Sequence, residues 1–231
     1  MTAPSLRRRV RAEMISEIKS VARRHLAADG ANLSLRAVAR DLGMVSSALY
    51  RYFANRDELL TALIVDAYNA MGEAVEAADA TVDRDDYRGR LLAIAHAARD
   101  WAVASPAEYA LIFGSPVPGY VAPQDTIGPA SRQPLALVAV IRDAAAAGRL
   151  TPRLPVRDVP PPVDVEMVAL ARVMNADLPP AVVALTMLGW VQIYGLISFD
   201  LFGHLLNSVI DRRTFFTHQI ATVADLIGLP C

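Results

Sequence analysis

Apolar residues recur at three- and four-residue spacing along most of this chain, while strict alternation of apolar and polar positions is scarce. Such spacing lines one face of a helix, so the pattern predicts helices in succession. Met14, Ile15, Ile18, Val21, Ala22 and Leu26 define a first helix from about Val10 to Ala28, ending near Gly30. Two short helices follow. Ser34 is placed to cap the first, Leu35, Val38, Ala39 and Leu42 form its inward stripe, and Gly43 suits a turn at positive φ. Leu49 and Phe53 give the second its inward face. Its remaining positions, Ser46, Ser47, Tyr50, Arg51 and Tyr52, suit close contact with a polar surface. This is the pattern of a helix-turn-helix whose second helix lies in a DNA major groove.

Asn55 and Glu58 have the spacing of a capping box and open a long helix to about Ala78. Its inward stripe is Leu60, Leu63, Ile64, Ala67, Met71 and Val75. After a polar break at Thr81 to Asp85, a helix from about Asp86 to Ser105 carries Leu91, Leu92, Ile94, Ala98 and Trp101. Ser105-Pro106-Ala107-Glu108 restarts the chain as a capped short helix that stops at Gly114. A loop rich in Pro and Gly is expected from Gly114 to Pro134, then a helix from about Leu135 to Ala147 closed by Gly148. Thr151 to Pro162 holds five prolines and cannot be helical throughout. A short helix over Asp164 to Asn175 precedes two last ones, roughly Ala181–Leu205 and Asp211–Ile227. The expected fold is all-α, with nine or ten helices and no strand. It divides into a three-helix helix-turn-helix head, residues 1–54, and a larger helical domain, residues 55–231.

The distribution of charge sharpens this picture. The whole chain is at −1, yet residues 1–60 carry eleven Lys and Arg against six Asp and Glu. A basic head on an acidic body implies an anionic partner at one end. Cys231 is the only cysteine, which leaves neither a disulfide framework nor a thiolate metal cluster. His25, His96, His204 and His218 have no helical-spacing partner, so no metal site is expected; His96, on an apolar face, is a candidate polar contact for a ligand. The N-terminal stretch MTAPSLRRRVRAEM lacks the apolar run of a signal peptide, and a reducing cytoplasm is expected. Gly-x-Ser-x-Gly, phosphate-loop and His-Glu-x-x-His patterns are missing, so neither catalysis nor a cofactor is expected.

The N-terminal quarter resembles the DNA-binding domain of the tetracycline-repressor (TetR) family. The resemblance rests on Ser34, Arg36, Ala39, Leu42, Gly43, Leu49, Tyr50, Tyr52, Phe53 and Arg56, in that family's order and spacing, and covers about residues 10–60. Val45 departs from it, since Ser or Thr often caps the recognition helix at that position; Ser46 or Ser47 is expected to take over. Trp101 to Tyr120 is similar to one regulatory-domain subtype of the family. The resemblance implies a ligand-responsive regulator, chiefly a repressor, in which the last two helices pair two subunits. It assigns DNA contacts to Ser34, Arg36, Ser46, Ser47, Tyr50, Arg51, Tyr52 and Arg56. Arg36 is placed to grip a guanine edge or a phosphate, and Tyr50, Tyr52 and Arg56 to reach the backbone. Arg7, Arg8, Arg9 and Arg11 form either an arm reaching a neighbouring groove or solvated basic residues.

The aromatic residues of the larger domain fit either an ordinary core or a cavity for a small apolar effector. The expected wall residues are Trp101, Tyr109, Phe113, Met187, Trp190 and Tyr194, between the helix carrying Trp101 and the helix carrying Trp190. Two rival classes remain. Ala181 to Phe199 runs nineteen residues without a charge, which admits a membrane or lipid-binding protein, although Asp177 and Asp200 flank it without basic anchors. An α-helical enzyme using the aromatic cavity is the other.

Overall fold

A computed structural model describes residues 6–30, 33–152 and 159–230. Cys231 and residues 153–158 of the proline-rich stretch lie outside the described residues. Among those described, the elements are α1 (Leu6–Asp29), α2 (Leu35–Asp41), α3 (Ser46–Leu49), α4 (Arg56–Ala80), α5 (Tyr87–Ala104), α6 (Pro106–Phe113), a 3₁₀ turn (Gln124–Thr126), α7 (Ile127–Ala146), α8 (Pro161–Val173), α9 (Pro180–Leu201) and α10 (Arg212–Ile227), with no strand.

Several boundaries differ from the periodicity. α3 ends at Leu49, short of Phe53, and α9 at Leu201, four residues short of Leu205. Three starts also move, two of them at prolines. α7 starts at Ile127, eight residues before the expected Leu135, with Pro134 inside it. An interior proline costs about 3 kcal/mol, and this helix offsets that by burying Leu137, Val138, Val140, Ile141 and Ala144. α8 starts at Pro161 rather than Asp164, because prolines fit the first helical turn, where N–H groups have no intrahelical acceptor. α1 starts at Leu6, so Arg7, Arg8, Arg9 and Arg11 are helical and exposed rather than a free arm.

Close packing divides the chain into two units, residues 1–69 with 105–129, and residues 70–104 with 130–231. Packing and the sequence division at residue 54/55 therefore separate different things: α6 and the loop after it fold with the head, where α6 lies against α1. The first unit's core joins Ile18, Val21, Ala22 and Leu26 of α1 to Val38, Leu49, Phe53, Leu60 and Leu63, with Val117 inserted from the loop. Lys19 and Arg23 both bind the Asp66 carboxylate at 2.8 Å, and His25 meets Asp41 at 2.8 Å.

In the second unit α9 packs on α5, α8 and α10. Gly189 lets α9 and α10 approach closely: a Cβ there would stand 3.0 Å from Val223 and 3.1 Å from Ile227. Arg90 is 1% exposed, yet it binds Asp79 at 2.8 Å and Asp143 at 3.0 Å. That pairing ties α4, α5 and α7 together around a charge too costly to bury alone. At the far end Gly228, at φ +90°, ends α10 and accepts a hydrogen bond from the Thr151 N–H at 2.8 Å.

Candidate nucleic-acid interface

The helix-turn-helix is set by caps and one glycine. The Ser34 hydroxyl accepts the Ala37 N–H at 3.4 Å and starts α2. Gly43, at φ +66°, makes the turn, a conformation costly for residues with a Cβ. α3 begins at Ser46, with Val45 at its N-cap and no side chain capping it. The expected substitution of Ser46 or Ser47 for the missing cap does not occur. Backbone hydrogen bonds of Tyr52 and Phe53 to the Leu49 carbonyl carry the turn onward. The Asn55 carboxamide then accepts the Glu58 N–H at 2.8 Å, while the Glu58 carboxylate accepts the Ala54 N–H. The capping box therefore reaches one residue further back than its usual form.

With Leu49 and Phe53 buried, the opposite face of α3 points outward. Ser47, Tyr50 and Arg51 are exposed and Ser46 is half-buried; Tyr50 is 45% exposed. Arg36 on α2 is exposed, with no ionic partner among the described residues. Arg56 lies 3.9 Å from Asp57 in the first turn of α4. Tyr52 is half-buried, its ring facing the Arg11 guanidinium at 5.1 Å. Arg11 also donates to the Arg51 carbonyl at 3.3 Å.

Two residues stand on this surface in places that periodicity does not assign. Val45 is 71% exposed, an apolar group at the start of α3 of the kind that meets a thymine methyl. Its departure from the usual polar cap was the signal. Arg11 is one of four neighbouring arginines in sequence, and only the fold brings it to Tyr52.

The aromatic residues separate. Tyr109 is fully buried in the first unit, tilted against Phe113 at 5.1 Å, and Phe113 meets the edge of Tyr68 at 6.3 Å. In the second unit Trp190 and Tyr194 pack at 5.8 Å. Met187 and Trp190 line a cavity of about 20 Å³ whose other walls are α7, through Leu137 and Val138, and α8 with the segment after it, through Leu170, Met174 and Leu178. Trp101 and Tyr194 do not line it, so the wall facing α9 differs from the one expected. Periodicity showed those α7 and α8 residues as apolar but not which helix they would face. His96 sits elsewhere, with Nε2 3.1 Å from the Thr217 hydroxyl and Phe216 against its ring. Burial, with the nearby Arg213 charge, holds its pKa below the ordinary histidine value.

α9 is long and apolar enough to cross a membrane by length and composition. Its apolar surface is divided, however. Val182, Val183, Ile193, Tyr194 and Ile197 are buried within the chain, while Leu188, Val191, Phe199 and Phe202 form an outward stripe at helical spacing.

Comparison with known proteins agrees with this architecture. A family profile described as bacterial regulatory proteins, tetR family, matches residues 18–63, and one described as tetracyclin repressor-like, C-terminal domain, matches residues 91–223. The chain is 42% identical over 201 residues to the HTH-type transcriptional regulators Mb1846 of Mycobacterium bovis and Rv1816 of Mycobacterium tuberculosis, covering 85% of this chain and 84% of each relative. A solved structure described as a regulatory protein, SCO4313, superposes with a TM-score of 0.77 at 33% identity, covering 96% of this chain and 98% of that one. The fold is also that of a protein of unknown function from Rhodococcus sp. RHA1, at a TM-score of 0.69 and 21% identity over 92% of this chain and 95% of that one. The chain belongs to the TetR family and is a helix-turn-helix transcriptional regulator.

Proposed function

We propose that this regulator is a repressor that binds a palindromic operator as a homodimer and is released by a small, mostly apolar effector. The observation that carries the reading is the outward face of α2 and α3, where Arg36, Ser47, Tyr50 and Arg51 are exposed beside a buried anchor of Leu49 and Phe53. Residues 1–54 are the reading head in this proposal, and residues 55–231 sense the effector and form the dimer. Ser34, Ser46, Tyr52 and Arg56 complete the contact set, mostly to phosphates.

The stripe Leu188, Val191, Phe199 and Phe202 supports pairing through α9. An isologous interface meets its own copy across a twofold axis. α10 contributes less surplus than its composition suggests, because Phe216, Ile220, Val223, Ala224 and Ile227 are already buried within the chain. Two heads on such a dimer meet half-sites about 10 bp or a multiple apart. An effector that binds one conformer about 10⁴-fold better than the other moves the population from one extreme to the other. The proposed location is the cytoplasm, where operator DNA is, and no enzymatic activity is assigned.

Selection from a random DNA pool tests this. The expected product is an inverted repeat bound by two chains. Recovery of a single asymmetric site bound by one chain contradicts the dimer and the palindrome together.

A further inference from the structure

The proposal of an effector leaves open where it sits and what chemistry it has, and the cavity among α7, α8 and α9 bears on both. Leucine, valine and methionine side chains make most of its lining, and no charged residue contributes. An ion entering it would lose its hydration without a counter-charge, which is prohibitive. Two lining residues carry polar side-chain atoms. Thr186 donates its hydroxyl to the Val182 carbonyl at 2.9 Å, four residues back on α9, so its donor is used. The indole N–H of Trp190 is buried and meets no acceptor among the described residues. A buried donor without an acceptor forfeits its hydrogen bond to water, and most such groups in folded proteins are partnered.

We propose that this cavity is the effector site and that its ligand is an uncharged, predominantly apolar molecule with one hydrogen-bond acceptor, which the Trp190 indole N–H engages. The inference rests on the effector-responsive reading. A cavity of about 20 Å³ takes a small ligand only by yielding. Its walls are suited to that: Met174, at the C-cap of α8, and Met187 on α9 have unbranched, flexible side chains. Leu170 and Ala171 of α8 line it with Met174. Entry of a ring therefore displaces the Met174 and Met187 side chains first.

Three probes of similar size separate the possibilities: acetophenone, which has an acceptor and no charge; cumene, which has neither; and benzoate, which has a charge. Calorimetry with the full chain, free of DNA, should show saturable binding of acetophenone, about tenfold weaker binding of cumene, and none of benzoate. In a ¹⁵N-labelled sample acetophenone should move one indole N–H resonance downfield, and that resonance should be the one lost in Trp190→Phe. Trp190→Phe keeps a ring in the wall and should bring acetophenone and cumene to equal affinity. Val183→Phe should fill the cavity and abolish binding of both, with helical content checked by circular dichroism. Equal affinities in the wild type, tightest binding by benzoate, no binding at all, or an unchanged preference in Trp190→Phe each overturn the proposal. Retention of operator DNA, measured separately with acetophenone present, judges the effector-responsive reading. Binding that leaves DNA retained refutes that reading while the cavity chemistry stands.

Discussion

The Arg11 guanidinium faces the Tyr52 ring at 5.1 Å and donates from Nη1 to the neighbouring Arg51 carbonyl at 3.3 Å. One side chain from α1 thus holds the C-terminal end of the recognition turn by its ring and by its backbone. A cation over an exposed aromatic face contributes about 0.5–1 kcal/mol. Arg11→Ala should therefore weaken operator binding about twofold to fivefold, and to a similar extent for every sequence. Arg11→Lys keeps the charge but loses the planar fork, and should recover only part of the loss. Titration by fluorescence anisotropy at several salt concentrations checks this. Full recovery by lysine would show that the charge alone matters.

Arg36 and Tyr52 should behave differently from each other. Arg36→Ala is expected to cost about 1–3 kcal/mol and to relax sequence preference at one operator position. Tyr52→Phe removes a hydroxyl but keeps the ring over which Arg11 lies, so it should weaken all sites alike. Both variants should keep the wild-type melting transition. If operator affinity at fixed salt is unchanged in both, the recognition surface lies elsewhere.

Arg90 supplies a test in the second unit. Burial pushes the Asp79 pKa up, but hydrogen bonds from Arg90 and Arg84 outweigh it and hold the carboxyl below its ordinary value. A lowered folded pKa contributes stability above the ordinary value of about 3.9, and that contribution is lost as pH falls through the folded one. Arg90→Leu leaves Asp79 with Arg84 and Asp143 with Arg142, so at neutral pH it should cost less than the roughly 3–5 kcal/mol of a fully stranded buried charge. The difference from wild type should narrow as pH falls toward and below about 4, where the two carboxylates take up protons. Urea unfolding across that range gives the answer, and a gap independent of pH counts against the ion pair as its source.

His96 should give the chain a second, milder pH dependence. Burial and the Arg213 charge lower its pKa in the folded state. The unfolded chain then binds the proton first as pH falls through about 6.5, so stability rises with pH in this window. His96→Gln, which preserves a polar partner for Thr217, should flatten the stability profile between about pH 5 and 7. An unaltered slope in the variant would assign the dependence to another group.

The α9 stripe predicts the assembly. Val191 and Phe199 are 56% and 54% exposed within one chain, so Val191→Glu with Phe199→Glu should leave its helices intact. In a dimer the same carboxylates would be buried without partners. The double variant should sediment as a folded monomer. A dimer of undiminished affinity would move the interface off this face.

Much of this molecule is local, and locality is what a sequence records. The stripe Leu60, Leu63, Ile64, Ala67, Met71 and Val75 is buried in α4 as its spacing requires, because neighbouring turns of one helix fix which side chains share a face. Ser34, Gly43 and Asn55 likewise act on backbone within four residues of themselves, through hydrogen bonds or permitted φ. Proline set a limit even here: Pro134 and Pro161 look like helix breakers in sequence, yet one is inside a helix whose buried face outweighs it and the other begins one.

Which stripe meets which was decided by the tertiary structure alone. Tyr109 and Trp190 carry the same aromatic signal, yet one is in the core of the unit containing α1 and the other lines a cavity in the unit containing α9. Arg11 reaches Tyr52 across forty-one positions, and Arg90 finds Asp143 across fifty-three. Hydrophobic burial is non-directional, so periodicity selects the face that leaves water but not the face it joins. That choice comes from shape and from pairing of buried charges, as at Gly189 against Val223 and at Arg90 between two aspartates.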